Sequence, residues 1–251
     1  YSLTVEASPA TTLPGYTRYR LYLNMANLDD RLIAVFGSAD SPMEINAPNG
    51  VFNTDLVSPF IWNAVQLSPL LYCTYPELTD DSYGTIGLTT GAAVGVSGIP
   101  GAINPNLSES PTSNISEFFT VDGATNLFAP GIGSSDDQIY FITNQIGATN
   151  AWPDPSGRII VAQITTNGPI SGTMNFGVLP LGGGLTSRTD IAISFNGAGE
   201  FNDGISAGTL CGCTDPLAFN FDPLAIYDNG SCIAVQVGCT DPGACNYVYG
   251  N

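Results

Sequence analysis

The sequence predicts an all-β protein, a β-sandwich or jelly roll followed by a small disulfide-rich C-terminal segment. Three observations lead to this prediction: short runs that alternate apolar and polar residues, turn-forming residues between these runs, and cysteines that cluster late in the chain. The 251 residues suffice for one large β domain with an appendage. The 29 glycines and 18 prolines indicate a folded chain with many turns.

Alternation places the strands. In the second run, the apolar Leu21 and Leu23 alternate with Arg18, Arg20 and Tyr22, so the two sets of side chains fall on opposite faces of a strand. Runs of this kind joined by turn residues are typical of a sandwich or jelly roll. The predicted strands cover residues 2–7, 16–25, 31–37, 138–143, 158–166, 170–179 and 189–196.

The segments between the strands carry turn chemistry. Thr-Asn-Gly-Pro at 166–169 predicts a hairpin between its flanking strands, because Asn-Gly tolerates the positive φ of a tight turn. A short helical turn is expected within 68–80, capped by Ser68 and broken by Pro76. The weak periodicity of residues 84–135 predicts that they form long surface loops, with a short strand around 118–121. Such loops either carry a binding site or decorate the sandwich.

The charge balance is strongly acidic. Twenty-two acidic residues face five basic ones, all of them arginine, and the formal net charge is −17. A surface of this sign repels phosphate backbones and anionic headgroups, so the sequence predicts no nucleic-acid partner. It also predicts no membrane insertion, because no run of 18 apolar residues occurs. The acidic surface either attracts divalent cations or serves solubility alone.

The chain lacks most of the residue types that common catalytic sites use. The chain has no histidine and no lysine, which removes the Ser-His-Asp, Cys-His and Ser-Lys arrangements. Carboxylate pairs in or near the long loops could form a glycosidase dyad, but adjacent carboxylates are common on solvated loops. The sequence therefore predicts a protein that is not an enzyme. The carboxylates in question are Asp80, Asp81, Glu109, Glu117, Asp136 and Asp137.

A composition change near 204–208 predicts two regions, a β-sandwich domain at 1–208 and a cysteine-rich region at 209–251. The cysteines of the second region lack histidine partners and C-x-x-C spacing, which favours disulfides in an oxidising compartment over zinc. The chain begins at Tyr1 without a charged leader, as expected after removal of a signal peptide. The six cysteines are Cys73, Cys211, Cys213, Cys232, Cys239 and Cys245.

The C-terminal region contains an internal repeat. CTDPLAFNF at 213–221 recurs as CTDPGACNY at 239–247, which gives a full repeat at 213–232 and a partial one at 239–251. The segment CTDPLAFNFDPLAIYDNGSC resembles the cysteine repeat CTDPxACNYxPxAxxDDGSC of large secreted Bacteroidetes proteins. The chain departs from it at Phe219 and Asn229. The partial repeat lacks its closing cysteine, so we expect the natural chain to continue.

The upstream part resembles a β-rich domain that often precedes such repeats and brings no established activity with it. The resemblance lies in GYTRYRLYLNMAN, RLIAVFGS, PNGVFN, DDSYGTIGL and FNGAGEF. Together the two resemblances imply export, by the type IX secretion route, and a location that is extracellular or on the cell surface.

Cysteine spacing predicts part of the disulfide pattern. Cys213 and Cys232 bracket one repeat, and closing a loop of this length stabilises a chain by about 3 kcal/mol. Cys211 lies too close to Cys213 for easy pairing, which leaves Cys73 as its predicted partner. Cys239 and Cys245 pair with each other or with cysteines further along the chain.

Two ligand sites are suggested by residue type. The repeat supplies oxygen ligands suited to calcium, although the same residues form Asx turns without a metal. Trp62 and Trp152, with nearby tyrosines at 72, 75 and 83, could form a carbohydrate-stacking platform, although most aromatics belong to cores. The candidate calcium ligands are Asp215, Asp222, Asp228, Asn229 and Ser231.

These observations predict an extracellular structural or adhesive module of a larger secreted or cell-surface protein, with filament formation as one mode of use. Its expected partners are other copies of itself or neighbouring surface proteins. A carbohydrate-binding β-sandwich module is the alternative, with glycans as its partners. A secreted glycoside hydrolase is a third hypothesis.

Overall fold

The computed structural model divides the chain into two compact units, Tyr1–Ser206 and Ala207–Asn251. The division lies two residues from the boundary at 208 that composition predicts. The structure describes residues 1–56, 61–131, 138–141, 148–202, 205–206, 211–212, 215, 217–218, 227–228 and 232–233, with backbone alone at 138–141, 205–206, 211–212 and 227–228.

Strands dominate the described residues. The strands are β1 (Ser2–Pro9), β2 (Thr17–Asn24), β3 (Arg31–Gly37), β4 (Met43–Asn46), β5 (Tyr83–Gly84), β6 (Asn106–Ser108), β7 (Asn126–Ala129), β8 (Gln138–Phe141), β9 (Arg158–Thr166), β10 (Ser171–Leu179), β11 (Thr189–Asn196), β12 (Gly199–Asn202), β13 (Ile205–Ser206), β14 (Cys211–Gly212) and β15 (Tyr227–Asp228). The helices are α1 (Pro69–Tyr72), α2 (Val94–Ser97) and α3 (Ile115–Phe118), with 3-10 turns at Ala64–Gln66, Pro76–Asp80, Thr149–Ala151, Pro180–Gly182 and Leu185–Ser187.

The first sheet of Tyr1–Ser206 has the strand order β13-β12-β1-β2-β9-β5 and is antiparallel throughout. β1 and β2 form a hairpin in continuous register from Ser2 opposite Asn24 to Pro9 opposite Thr17. β2 then pairs with β9 along its whole length, with a bulge between Leu21 and Tyr22. β1 lies between two strands of its own sheet.

The second sheet is built around β10. One edge of β10 pairs with β11, while its other edge pairs with β3 and β4 in succession. β8 extends the sheet from β3, with β6 next to it, and β7 extends it from β4. Alternation on β11 is regular, because Ile191 and Ile193 are buried while Asp190 and Ala192 are exposed.

The buried faces of the two sheets meet in one core. Leu3 and Leu21 from the first sheet belong to the same apolar cluster as Phe176 and Ile193 from the second. Two antiparallel sheets that share one core form a β-sandwich. The all-β prediction is confirmed, and each of the seven strands predicted by alternation has a counterpart in the described strands.

The predicted hairpin at 166–169 is wrong. β9 belongs to the first sheet and β10 to the second, so the Thr-Asn-Gly-Pro segment crosses from one sheet to the other. Gly168 does not adopt the positive φ of a tight hairpin turn. Its carbonyl instead accepts a hydrogen bond from the Tyr19 hydroxyl at 3.2 Å, and the neighbouring Ile170 is buried in the core.

The short strand predicted around 118–121 is also wrong. The chain forms the helical turn α3 there, and the strand β7 follows it. Phe118 and Phe119 are both buried and pack edge to face with their ring centroids 5.1 Å apart. A strand would point two adjacent rings to opposite faces, whereas a helical turn lets both enter the core.

The helical turn predicted within 68–80 is confirmed as α1, and a 3-10 turn begins at Pro76. Ser68 precedes α1 but its side chain makes no capping hydrogen bond. No helix in the described ranges is both long and apolar enough to span a membrane.

In Ala207–Asn251 the described backbone forms a short parallel pair, β14 with β15. The Asp215 side chain accepts a hydrogen bond from the Leu217 amide at 2.9 Å, and the Asp215 carbonyl accepts one from the Ala218 amide. This is an Asx turn, so the aspartate of the CTDP motif fixes the bend that follows it. Cys232 is disulfide-bonded. Its predicted partner Cys213, together with Cys239 and Cys245, lies outside the described residues.

Cys73 corrects the predicted disulfide pattern. Its thiol is free and exposed at the end of α1, so the predicted bridge to Cys211 is not formed. A disulfide needs two cysteines whose Cα atoms lie within about 7 Å of each other, and sequence spacing cannot reveal which distant cysteines meet in the fold. Five cysteines then remain in the C-terminal region, and an odd number cannot all pair with one another.

We expect Cys73 to react in the native chain. An Ellman titration of the native protein should give one thiol per chain more than the same titration of Cys73→Ser, because an exposed thiol is accessible to the reagent. Equal counts for the two proteins would show that the Cys73 thiol does not react. A higher count in Cys73→Ser would show that Cys73 is paired, because the substitution releases its partner thiol.

Candidate functional site

A cavity of about 290 Å³ opens on the outer face of the first sheet. Its floor comes from β2 and β9, and its walls come from the segment 67–90 and from Thr11 in the β1–β2 connection. The position follows from alternation on β2, where Leu21 enters the core and Arg18 and Arg20 therefore face outward. We call this cavity the arginine pocket.

A small apolar cluster holds the covering segment together. Ala64, Leu67, Leu78 and Tyr83 are buried against one another, and Tyr72 packs on them. This cluster fixes the segment as a second layer over the sheet, so the outward side chains of β2 and β9 are partly enclosed.

Arg20 is positioned by a cross-strand neighbour. It lies opposite Gln163 in the β2–β9 register, and its Nε donates to Gln163 Oε1 at 2.9 Å. The buried Gln163 Nε2 in turn donates to the carbonyls of Thr79 at 3.1 Å and Asp81 at 2.8 Å. Gln163 thus joins the covering segment to the sheet and fixes the orientation of the guanidinium.

Arg18 has a carboxylate partner. Its Nη1 lies 3.4 Å from Asp80 Oδ1 and also donates to Thr11 Oγ1 at 3.1 Å. Asp80 is fully buried and accepts hydrogen bonds from the amides of Thr11 and Thr12 and from the Thr12 hydroxyl. The carboxylate therefore neutralises Arg18 and ties the β1–β2 connection to the wall of the pocket.

Asp81 has a different environment. Burial raises its pKa to about 7, although hydrogen bonds from the amides of Thr54 and Ser82 act in the opposite direction. The Thr54 amide donates to Asp81 Oδ1 at 2.9 Å. The carboxyl group anchors the residues around 54 to the covering segment.

The remaining lining is hydroxyl-rich with one apolar side. Burial raises the pKa values of Tyr72 and Tyr83, while the nearby Arg20 charge acts to lower both. Leu67 and Pro69 give the pocket an apolar wall. None of the described residues that line the pocket is acidic, although the whole chain carries 22 acidic residues. The hydroxyl groups come from Thr11, Thr79, Thr89, Thr90, Tyr72 and Tyr83.

The predicted tryptophan platform is corrected. Trp62 is only 7% exposed and belongs to the main core, so it cannot stack on a ligand. Its ring lies so close to Gly84 that a Cβ there would sit 3.0 Å from Trp62 Cζ3. Trp152 is 36% exposed, and the Arg31 guanidinium lies 5.2 Å from its ring centroid. Of the predicted aromatics, it is Tyr72 and Tyr83 that reach the pocket.

The loop carboxylates have structural partners where they are described. Glu109 accepts hydrogen bonds from Ser113 and Ser116, and it thereby holds the start of α3. Asp80 and Asp81 accept hydrogen bonds from the backbone amides of Thr11 and Thr54, respectively. Glu117 is exposed on α3. Asp136 and Asp137 lie outside the described residues.

The calcium site stays a prediction. Asp215 uses its side chain in the Asx turn. Asp222, Asn229, Ser231 and the side chain of Asp228 lie outside the described part of the chain. Within that part, no group of three or more His, Cys, Asp or Glu side chains is placed to hold a metal ion.

Sequence reasoning missed Arg20 and Gln163 as site residues. A signal was present, because two of only five cations stand two residues apart on one strand face. Alternation alone assigns that face to solvent, and nothing in the loop-like segment 67–90 predicts that it covers the sheet.

Fold and site together define a β-sandwich with an arginine-containing polar pocket on its outer face. No family model, curated protein or solved structure matches the chain.

Proposed function

We propose that this chain is an extracellular adhesive module, which binds a small ligand in the arginine pocket and so attaches a larger secreted or cell-surface protein to the ligand's carrier. The observation that carries the proposal is the position and orientation of the Arg20 side chain. Its guanidinium is oriented by Gln163 inside a pocket, as expected of a group that is preorganised for a ligand.

Residue chemistry favours binding over catalysis. The chain has no histidine and no lysine, and Asp80 and Asp81 are occupied by the hydrogen bonds that hold the pocket wall. A glycosidase needs two carboxyl groups that flank a bound sugar. The described lining contains none, which counts against the hydrolase hypothesis.

The extracellular location rests on the C-terminal region. Its cysteine repeat resembles that of secreted Bacteroidetes proteins, and Cys232 is disulfide-bonded, as is typical of oxidising compartments. Export by the type IX route is part of the same proposal. The same proposal treats the repeat region as a disulfide-bonded segment of a larger secreted or cell-surface protein.

The proposal is tested by measuring retention and turnover together. The full chain is immobilised and exposed to a panel of neutral and acidic polysaccharides, and the supernatants are assayed for new reducing ends. We expect retention of at least one polysaccharide without new reducing ends. Release of reducing ends would identify a hydrolase, and absence of retention across the whole panel would contradict an adhesive role toward glycans.

A further inference from the structure

We infer that the arginine pocket binds one uronate residue, a sugar ring that carries a carboxylate, and that Arg20 binds the carboxylate. This inference rests on the proposed adhesive function and specifies its ligand. Four features of the described residues lead to it: the state of the arginines, the absence of acidic lining, the hydroxyl content and the size of the cavity.

Arg20 differs from the other arginines in its partners. Arg18, Arg158 and Arg188 each pair with a carboxylate, and Arg31 donates to two backbone carbonyls. Within the described residues, the one hydrogen bond of Arg20 is the bond from Nε to Gln163. Both terminal nitrogens therefore keep their donor capacity, and a planar guanidinium fork matches a carboxylate in a two-point contact.

The charge of the pocket is local. The chain carries −17 overall, so its long-range field repels anions, and an anion site must be supplied by neighbouring groups. No acidic side chain is among the described lining residues, and Glu6, which lies opposite Arg20 in the β1–β2 register, pairs with Arg158. Because Asp80 pairs with Arg18, Arg20 is the cation of the described lining without a carboxylate partner, and one guanidinium suits a singly charged carboxylate better than a phosphate group.

The lining also suits a sugar ring. Threonine and tyrosine hydroxyls both donate and accept hydrogen bonds, as sugar hydroxyls do. Leu67, Pro69 and Leu78 present an apolar wall to which the C–H face of a ring can pack. A cavity of about 290 Å³ lies at the lower limit of ligand pockets, which are roughly 300–1,000 Å³, so it fits a single ring.

The test compares acid with neutral sugar on the wild-type chain. Calorimetric titrations with glucuronate, glucose and glucose 6-sulfate, and with a peptide that ends in a free carboxylate, give four affinities. We expect glucuronate to bind at least about tenfold more tightly than glucose, because the charge-assisted contact to Arg20 is absent from glucose. Equal affinities for these two sugars, or no binding of glucuronate, would overturn the inference.

Glucose 6-sulfate and the peptide test whether the pocket prefers another class of anion. Tighter binding of the sulfate would show that the pocket selects any anion, and tighter binding of the peptide would show a site for chain ends. Either result contradicts the uronate assignment. These outcomes also distinguish the inference from the proposed function. Retention of polysaccharides without a preference for acidic ones would contradict the uronate inference alone. Absence of any retention would contradict both the inference and the proposed function.

A pair of variants assigns the contact to Arg20. Arg20→Gln is expected to lower glucuronate affinity about tenfold or more and to leave glucose binding within about twofold. The matched control is Arg188→Gln, which removes the same charge from a partly exposed pair with Asp190 and should leave both affinities unchanged. Unchanged glucuronate binding in a folded Arg20→Gln protein would overturn the assignment. If Arg20→Gln fails to fold, the comparison of glucuronate with glucose on the wild-type chain still tests whether the pocket prefers a uronate.

Discussion

Asp80→Asn is expected to lower the free energy of unfolding at neutral pH by about 3–5 kcal/mol, the usual cost of breaking a buried ion pair. Asp80 is fully buried and accepts hydrogen bonds through both oxygens, from the amides of Thr11 and Thr12 and from Arg18. An asparagine has one acceptor oxygen, so its amide group would face donors, and the Arg18 charge would lose its partner.

The measurement is denaturant unfolding of the full chain, with Asp190→Asn as the control. Asp190 pairs with Arg188 at 2.6 Å but its side chain is 53% exposed, so its loss should cost less than about 1 kcal/mol. If Asp80→Asn costs no more than Asp190→Asn, then Asp80 does not hold the β1–β2 connection to the pocket wall.

Asp81 is expected to make the protein less stable as the pH rises from 4 to 7. Burial raises the pKa of its carboxyl group from 3.8 to about 7 in the folded chain. Between these values the unfolded chain has lost the Asp81 proton while the folded chain retains it, so the free energy of unfolding falls with rising pH. A shift of this size corresponds to about 4 kcal/mol, and the loss is complete above pH 7.

The variant Asp81→Asn isolates this effect. It keeps an oxygen that can accept the Thr54 amide hydrogen bond and removes the titrating proton. Denaturant unfolding of both proteins at pH 4.5 and pH 8 should show the variant gaining stability relative to the wild type as the pH rises. The comparison cancels the charge repulsion of the other acidic residues, which both proteins share. Parallel pH profiles would mean that the Asp81 pKa is not raised by burial.

The sequence predicts the strands well because alternation is a local signal. Leu21 and Leu23 on β2, and Ile191 and Ile193 on β11, alternate with residues of the opposite face, and each set enters the core. Pairing between strands is not local. The Asn-Gly dipeptide at 167–168 is a hairpin signal by itself, yet β9 and β10 have their partners in different sheets.

The residues of the pocket are likewise predicted where the signal is local and missed where the contact is distant in sequence. The sequence places Arg18 and Arg20 on the outward face of β2, and that placement is correct. It cannot show that residues 67–90 return over this face, because the contacts that dock them come from the distant Gln163 and from a cluster of a few apolar residues. Trp62 was misassigned for the same reason, since a core position outside a regular strand leaves no periodic signal.

The most direct test of the pocket as a uronate site is a crystal structure of the full chain grown with glucuronate. The account predicts the sugar ring between the apolar wall and the hydroxyl groups, with its carboxylate oxygens about 2.7–3.2 Å from the terminal nitrogens of Arg20. Glucuronate bound elsewhere on the sandwich, or an Arg20 guanidinium already paired with a carboxylate of the protein, would contradict it.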